Sequence, residues 1–309
     1  MDRGDPRAVV AREVLGDRAV VGAPLGSRTT YRVGGTAAVA FEVRDSTDLS
    51  LVSAAHLASH LPVLVVGRGS NLLIADQGFT GIAVFLGDGF DTLDIAPDSG
   101  VVAAGAALAL PVLARQTVAA GRTGLEWAVG VPGSVGGAVT MNAGGHGSDV
   151  AASLLDADVF DIDRDRVTTV LASELDFGYR SSAVSDNHIV LEARFRTGAG
   201  VPSEGERILA EIVQWRRAHQ PGGQNAGSVF VNPEGTSAGA EIELAGLKGL
   251  RRGTAEVSTK HANFIQADEG GSANDVHELM TAVAAEVLRR RRVHLRTEIR
   301  RIGFESEGS

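Results

Sequence analysis

The chain has 309 residues, 44% hydrophobic and 22% charged, which is typical of a globular protein long enough for two domains. Its net charge of −9 disfavours nucleic acid and anionic membranes as partners, and the absence of cysteine excludes disulfides, thiolate metal sites and a cysteine nucleophile. The N-terminus shows no secretory signal, and no apolar run approaches a membrane span. We therefore expect a cytoplasmic protein with no evident obligate protein partner.

The first half of the chain alternates helical and strand patterns. Residues 46–48 offer an N-cap, and Gly121 would close a helix that begins near residue 110. The elements predicted here are a helix over 6–15, a strand over 38–43, a helix over 46–60, and strands that begin at 63 and cover 82–85 and 101–104, before the helix that ends at Gly121. The first strand, helix and following strand form a predicted βαβ unit.

The second half is predicted to be mostly strand at first and then mixed. Residues 198–202 are typical of a linker, and Ser203 with Glu206 is typical of a capping box that opens a helix. Asn274 and Asp275 are predicted to cap a long helix whose apolar residues share one face. The other predicted elements are strands over 154–160, 167–171, 188–195, 228–231 and 298–302, and a short helix over 238–244.

The most conspicuous stretch is glycine-rich. It runs Gly130-Val131-Pro132-Gly133-Ser134-Val135-Gly136-Gly137-Ala138 and continues to Asn142-Ala143-Gly144-Gly145. Such a stretch folds either into plain tight turns or into a nest whose backbone N–H groups point at an anion. The stretch alone leaves both interpretations open.

A second glycine pair favours the anion site. An apolar strand over 62–66 is followed at once by Gly67-Arg68-Gly69-Ser70-Asn71, and residues 72–74 are apolar again. A Rossmann fingerprint would read G-x-G-x-x-G and open a helix, whereas here the chain returns to a strand. A strand–nest–strand unit plus a second nest suits a dinucleotide pyrophosphate held between two loops.

These two stretches resemble the flavin-binding loops of the UDP-N-acetylenolpyruvoylglucosamine reductases, the MurB family. Further motifs follow in family order: Thr30-Tyr31-Arg32-Val33-Gly34-Gly35, Phe177-Gly178-Tyr179-Arg180-Ser181-Ser182, Ala226-Gly227-Ser228-Val229-Phe230-Val231-Asn232-Pro233 and Lys260-His261-Ala262-Asn263-Phe264. The resemblance implies an α+β chain, with a vanillyl-alcohol-oxidase/PCMH-type FAD-binding fold followed by a smaller α/β substrate-binding domain. The implied segments are 1–33, packing with the FAD domain, then 34–199 for FAD and 200–309 for substrate.

The resemblance also implies the site residues. The implied FAD-binding residues are Gly67, Arg68, Gly69, Ser70, Asn71, Leu72, Gly130, Val131, Pro132, Gly133, Ser134, Gly136, Gly137, Asn142, Ala143 and Gly144. The implied catalytic residues are Arg180, beside the substrate carboxylate, Ser228, the proton donor, and Glu298, which assists the charge rearrangement. The implied substrate-binding residues are Tyr179, His219, Lys260, His261 and Asn263, with His219 standing where many relatives carry a lysine near the substrate diphosphate.

Each of these residues also has an ordinary structural interpretation. Without the resemblance, Ser228 is a turn serine and Arg180 a surface arginine between strands. The sequence around Ser228 is not G-x-S-x-G, which disfavours a serine hydrolase. The run of four arginines over 289–292 is predicted to complement a helix dipole, and the eight histidines lack metal-ligand spacing, so we expect no metal.

The sequence therefore predicts a flavoenzyme in which NADPH reduces FAD and the enolpyruvyl group of the nucleotide sugar is then reduced, in peptidoglycan synthesis. Only seven residues, 181–187, separate Arg180 from the strand at 188, which predicts the short-loop (type II) class with a more open substrate mouth. Two alternatives stay open: another flavin oxidase or dehydrogenase of the same fold, and a non-catalytic nucleotide-binding module.

Overall fold

The computed structural model describes residues 5–96 and 98–304. The helices are α1 Pro6–Leu15, α2 Ser46–Ser59, α3 Leu110–Ala119, α4 Val135–Thr140, α5 Pro202–His219, α6 Ala238–Leu244 and α7 Ala273–Arg291. The strands are β1 Val20–Val21, β2 Ala37–Val43, β3 Val63–Val65, β4 Leu72–Ile74, β5 Phe79–Leu86, β6 Leu93–Ile95, β7 Val101–Gly105, β8 Arg122–Thr123, β9 Gly144–Gly145, β10 Ser148–Asp149, β11 Leu154–Asp161, β12 Arg166–Leu171, β13 His188–Arg196, β14 Gly198–Ala199, β15 Arg251–Arg252, β16 Ala255–Val257, β17 Ile265–Ala267 and β18 Arg300–Ile302.

The described residues form two compact units that interleave along the chain. Among the described residues, the first unit takes 5–21, 38–68, 81–96 and 98–216, and the second takes 22–37, 69–80 and 217–304. The sequence predicted three consecutive segments instead, 1–33, 34–199 and 200–309. That assignment of functional domains stays a prediction, whereas the contacts follow the interleaved division.

The first unit is built on two sheets with helices against them. One sheet has the order β1-β2-β5-β3, with β3 parallel to β5, and the other has the order β12-β11-β13-β7-β6 and is antiparallel throughout. Apolar side chains of α1 and α2 share a core with the first sheet, and those of α3 and α4 share a core with the second. Each fully buried leucine or phenylalanine in such a core stabilises the fold by roughly 1.5–3 kcal/mol.

The second unit packs α6 and α7 with β16 and β17. Tyr31, Val33 and Leu73 from the two early segments share the same core, and β4 pairs in parallel with β18 near the C-terminus. This unit therefore depends on three separate parts of the chain. No helix in residues 5–96 and 98–304 is both long and apolar enough to cross a membrane.

Most predicted elements are confirmed, and several of the errors lie at their ends. Asp45 caps α2, because its carboxylate accepts hydrogen bonds from the N–H groups of Thr47 and Asp48 at 2.9 and 3.1 Å. Ser272 caps α7, because its hydroxyl accepts from Asp275 N at 3.2 Å while the Asp275 carboxylate accepts from Thr254 N and Thr254 Oγ1, each at 2.7 Å. The predicted cap at Asn274 and Asp275 is therefore wrong.

Three further predictions, of a capping box, a linker and a strand, differ from the structure. The capping box at Ser203 is wrong, because α5 begins at Pro202, whose fixed φ suits the first helical position. The predicted linker contains β14, which pairs with β8. The predicted strand over 228–231 is reduced to a single bridge between Phe230 and Thr297.

The arginine run lies where the dipole argument placed it. Arg289, Arg290 and Arg291 form the last turn of α7. Hydrogen bonds from Arg289 and Arg290 lower the pKa of Glu286 to about 2, and Arg291 donates to Glu241 at 3.1 Å. These contacts within the unit account for the run without a ligand.

Asp48 links α2 to the segment before β1, and its replacement provides a test of the fold. Its buried carboxylate accepts hydrogen bonds from Arg18 and from Arg44 N. The Arg18 hydrogen bond is the main reason that the pKa of Asp48 lies below 3.8. We expect Asp48→Asn to lower the free energy of unfolding by about 2 kcal/mol at pH 7.

The sign of the pH dependence follows from that lowered pKa. The stabilisation is fully present above the pKa of the unfolded chain and is lost as pH falls through the folded pKa, so the gap between wild type and variant shrinks below about pH 4. Urea unfolding at a series of pH values measures the gap. Asp17→Asn, at an exposed position, is the control, and a gap at pH 7 no larger than that of the control would contradict the role of Asp48.

Candidate functional site

The first glycine loop follows β3 and touches the second. A Cβ built on Gly67 would lie 2.4 Å from Ser134 Oγ, which is closer than any side chain allows. Ser134 itself is buried and precedes α4 as its N-cap residue. The two glycine loops singled out in the sequence therefore meet within the first unit, and a β-carbon at position 67 would force the Ser134 side chain to shift.

Several backbone N–H groups at this meeting point have no hydrogen-bond acceptor among the described residues. Over residues 5–96 and 98–304, the structure gives no acceptor to the N–H groups of Gly67 and Arg68 or to those of Gly133, Ser134 and Gly137. Most backbone donors in a folded protein are paired, so a cluster of unpaired donors on two touching loops can receive an anion. The described geometry fits the nest interpretation better than plain tight turns.

Other residues of the second loop that were predicted to bind the cofactor donate their N–H groups to backbone oxygens of the protein. Val131 N donates to Ala128 O at 3.1 Å, and Gly136 N donates to Ala106 O at 2.9 Å. Ala143 N donates to Ala138 O at 2.9 Å. The N–H groups of Val131, Gly136 and Ala143 are therefore not donors for a ligand in this structure, although the sequence placed all three at the cofactor.

The rest of the predicted cofactor residues lie around these donors. Gly130 closes a 3₁₀ turn, Pro132 is exposed, and Gly133 O accepts a hydrogen bond from Leu110 N at 3.0 Å. Gly144 lies in β9, which pairs with β10 in a tight hairpin. His146, in the turn of that hairpin, was not singled out from the sequence. Its Cδ2 atom lies 3.1 Å from where a Cβ of Gly130 would stand.

In the second unit, the continuation of the first loop is fixed by packing. Gly69 has a φ of +62°, and a Cβ there would lie 2.3 Å from Arg28 O. Gly69 O accepts from Thr30 N at 3.1 Å, and Leu72 starts β4. Ser70 is half-buried. Gly69 is thus required by the 28–30 segment, whose last residue, Thr30, begins the motif that the resemblance singled out.

Asn142 connects the second glycine loop to the Tyr179–Arg180 motif. It is buried, its Nδ2 donates to Gly178 O at 2.9 Å, and its Oδ1 accepts from Ala151 N at 3.0 Å. The amide therefore acts on protein backbone at both ends, which makes Asn142 a structural link between two predicted parts of the site.

Arg180 lies in a tight turn of the first unit. Gly178 and Ser181 exchange backbone hydrogen bonds at 3.1 and 3.3 Å, and Arg180 between them has a φ of +57°. Its guanidinium carbon stands 5.3 Å from the centre of the Tyr179 ring, and the Tyr179 side chain is exposed. A left-handed arginine is an uncommon conformation that occurs preferentially at functional sites. β13 begins at His188, so the short connection after Arg180 is confirmed.

Ser228 and Glu298 lie together in the second unit although 70 positions separate them. Glu298 N donates to Val229 O at 2.8 Å, and Phe230 bridges to Thr297. Within the described residues the structure gives Ser228 Oγ no hydrogen-bond partner, and the side chain is half-buried. The fold thus unites two of the three predicted catalytic residues and leaves the hydroxyl available.

Asn71 and Asn263 bind backbone beside these two residues. Asn71 Nδ2 donates to Glu298 O at 3.2 Å, and Asn71 O accepts from Arg300 N at 3.0 Å. The buried side chain of Asn263 exchanges two hydrogen bonds with the backbone of Phe230. The sequence placed Asn71 at the cofactor and Asn263 at the substrate, whereas their amides face protein here.

The remaining predicted substrate residues lie on the same unit. Lys260 Nζ donates to Arg217 O at 2.5 Å, near the end of α5, and His219 is the last residue of that helix and is exposed. His261 is half-buried, and burial lowers its pKa, with a contribution from the nearby charge of Lys248. His261 Nδ1 accepts from Asn263 N at 3.2 Å, so the ring is in its neutral form in this contact.

Comparison with known proteins gives a consistent result for both parts of the chain. A family model described as the UDP-N-acetylenolpyruvoylglucosamine reductase, C-terminal domain, matches residues 219–302, and one described as an FAD binding domain matches residues 37–169. These matches confirm the prediction of an α+β chain with a flavin-binding fold.

Individual relatives cover nearly the whole chain. A UDP-N-acetylenolpyruvoylglucosamine reductase of Synechococcus sp. (strain RCC307) is 43% identical over 91% of this chain and 92% of its own length. The protein of the same name from Heliobacterium modesticaldum is 41% identical, over 91% and 89%. The crystal structure of the Thermus caldophilus UDP-N-acetylenolpyruvylglucosamine reductase (MurB) superposes with a TM-score of 0.79 at 34% identity, covering 92% of this chain and 98% of that one.

The contact between Gly67 and Ser134 can be tested through FAD retention. We expect Gly67→Val to raise the Kd for FAD at least about tenfold, because added carbon atoms would separate the two loops and block their N–H groups. The measurement is the flavin-to-protein absorbance ratio after gel filtration, followed by titration of the apoprotein with FAD. Circular dichroism checks that the variant is folded.

Gly222→Val is the matched control for that substitution. Gly222 has open space around it and no positive φ, so the same change there should leave FAD affinity unaltered. Wild-type affinity in the Gly67 variant would show that the loop contact is no part of the FAD site.

Proposed function

The chain belongs to the UDP-N-acetylenolpyruvoylglucosamine reductase family, and on this premise we propose how its residues carry out the reaction. It is an FAD-dependent oxidoreductase of peptidoglycan synthesis that reduces the enolpyruvyl group of its nucleotide-sugar substrate. The observation that supports the residue assignment best is the pairing of Ser228 and Glu298 through adjacent backbone. NADPH as the reductant and a cytoplasmic location stay predictions.

The two touching glycine loops fit FAD. A dinucleotide carries a pyrophosphate, and the unpaired N–H groups of Gly67, Arg68, Gly133, Ser134 and Gly137 are the donors that such a group needs. When bound, FAD supplies the two-electron redox chemistry. The chain's own contribution is to hold the cofactor and the substrate and to move the proton.

Arg180 is proposed to bind the carboxylate of the enolpyruvyl group. Addition of a hydride to one carbon of the double bond drives negative charge onto that carboxylate, and a planar guanidinium can donate to both of its oxygens. The tight turn at 178–181 restricts where the side chain can go, and the Tyr179 ring lies along it. A fixed cation costs less reorganisation as the charge develops.

Ser228 is proposed to deliver the proton to the second carbon. A hydride and a proton together saturate the double bond, and the hydroxyl that loses the proton regains one from solvent. The hydroxyl has no partner among the described residues and stands on backbone held by several hydrogen bonds. Glu298, bonded by its N–H to Val229 O, is proposed to stabilise the charge rearrangement beside it.

The two alternative functions make different predictions. A non-catalytic module would bind nucleotide without electron transfer, and a different oxidase of this fold would consume a reductant without the enolpyruvyl substrate. Purified protein that is yellow, and that oxidises NADPH only when UDP-N-acetylenolpyruvoylglucosamine is present, supports the proposal. Oxidation of NADPH at the same rate without this substrate would contradict it.

The role of Ser228 predicts a defect confined to one half-reaction. Ser228→Ala should bind FAD normally, and NADPH should reduce its flavin at nearly the wild-type rate. Reoxidation by the enolpyruvyl substrate should slow by roughly 10²–10⁴, the usual contribution of a positioned general acid. Stopped-flow absorbance of the flavin in two separate mixes measures both rates.

Ser203→Ala, on the exposed side of α5, is the control and should match wild type in both mixes. A plain turn serine predicts instead a small and equal loss in the two half-reactions. Reoxidation of Ser228→Ala at the wild-type rate would remove Ser228 as proton donor.

A further inference from the structure

The side chain of Asn263 is hydrogen-bonded to the backbone next to Ser228. Its Oδ1 accepts from Phe230 N at 3.0 Å, and its Nδ2 donates to Phe230 O at 2.8 Å. Its own main-chain oxygen accepts from Val229 N at 2.9 Å. Three hydrogen bonds from one residue therefore hold the two residues that follow Ser228.

The same short segment holds Glu298 on its other edge. Val229 O accepts from Glu298 N at 2.8 Å, and Val231 N donates to Arg296 O at 2.9 Å. Segment 229–231 thus lies between Asn263 on one side and 296–298 on the other. Asn71 Nδ2 fixes the Glu298 carbonyl in turn.

Burial shows that Asn263 acts on protein rather than on a ligand. Only 3% of the residue is exposed, and its main-chain N–H is occupied by His261 Nδ1 at 3.2 Å. A side chain that is buried and bonded at both ends has little capacity left for a substrate. The resemblance implied a substrate-binding role for Asn263, whereas its amide is bonded to the Phe230 backbone here.

We propose that Asn263 is a positioning residue that sets Ser228 and Glu298 in their catalytic arrangement by replacing a missing strand partner for residues 229 and 230. The inference rests on the proposed function of Ser228 and Glu298. A strand would need a neighbour of several residues to satisfy Phe230, whereas one amide side chain satisfies both of its backbone groups in a bend. That bend leaves Ser228 half-buried and its hydroxyl unused by the fold.

Removal of the amide should slow proton delivery. Phe230 would lose a donor and an acceptor in a buried place, and the segment would shift to find other partners. A displacement of about 1 Å can slow a reaction by about 100-fold even when the group that reacts is intact. The chemistry of Ser228 would persist, but its placement would not.

The experiment compares half-reactions of the FAD-loaded enzyme. We expect Asn263→Ala to be reduced by NADPH at the wild-type rate, and its limiting rate of reoxidation by the enolpyruvyl substrate to fall roughly 10- to 100-fold. The dissociation constant of that substrate should stay within about twofold of wild type. Asn263→Asp keeps the size and the acceptor for Phe230 N but loses the donor, and it should show the same pattern. It replaces the alanine variant in the experiment if that variant folds poorly.

A double-mutant cycle tests whether Asn263 acts through Ser228. In the Ser228→Ala background, Asn263→Ala should slow reoxidation further by less than about threefold, because the group that it positions is already absent. Leu279→Ala, in the buried core of the same unit, is the control for lost stability and should leave the limiting reoxidation rate of the folded enzyme unchanged.

Three results would overturn the proposal. A raised substrate dissociation constant with an unchanged reoxidation limit would make Asn263 a substrate ligand. Equal effects of the Asn263 and Leu279 variants would make it a residue of general stability, and additive effects with Ser228→Ala would make it independent of the proton donor. Failure of the proposed function shows differently, because wild-type enzyme itself would then not be reoxidised by the substrate, and both proposals would fall.

Discussion

Close approach of glycine backbone to neighbouring segments is the constraint on which this structure depends. Gly67 lies against Ser134 where the two glycine loops meet, and Gly69 lies against Arg28 O where the second unit begins. A β-carbon at either place would stand 2.4 Å or less from another atom. At Gly69 that atom is a backbone oxygen and φ is positive, so the contact requires glycine, whereas at Gly67 it is the Ser134 hydroxyl, which would have to move. Among the described residues, three of the five unpaired N–H groups where these loops meet belong to glycines, Gly67, Gly133 and Gly137.

Asparagine side chains, in contrast to these glycines, supply hydrogen bonds where backbone groups lack a backbone partner. Asn142 links the second glycine loop to the turn that carries Arg180, and Asn71 and Asn263 hold the backbone around Glu298 and Ser228. An amide carries both a donor and an acceptor, so one side chain can satisfy an irregular segment that no strand or helix completes. In a helix or strand the direction of each side chain is set by the regular repeat of the element. Irregular backbone is needed here so that the side chains of Ser228 and Arg180 can point in other directions.

The sequence predicted regular elements well because apolar periodicity reports burial directly. It predicted α1 and α6 at their observed bounds, and the strand–nest–strand pattern with a second nest suggested that the two glycine loops hold one pyrophosphate between them. The sequence-based predictions failed where a side chain can form hydrogen bonds with more than one partner. Asp275 bonds to Thr254 rather than to its own helix start, and Asn263 takes over the hydrogen bonds that a strand over 228–231 would have made. Such choices depend on tertiary neighbours that no local pattern contains.

The same reason separates the residues of the site that could be predicted from those that could not. Ser228, Glu298 and Arg180 were found only through motifs, because a serine, a glutamate and an arginine in loops have ordinary roles in most proteins. The structure adds a physical reason for each pair of motifs to exist together. Motif 226–233 needs motif 260–264 because Phe230 is bonded by Asn263, and the loop at 67–72 needs the C-terminal strand because Asn71 exchanges hydrogen bonds with Glu298 and Arg300. Within the second unit, distant motifs therefore hold the backbone next to Ser228 and the backbone of Glu298, the two proposed catalytic residues.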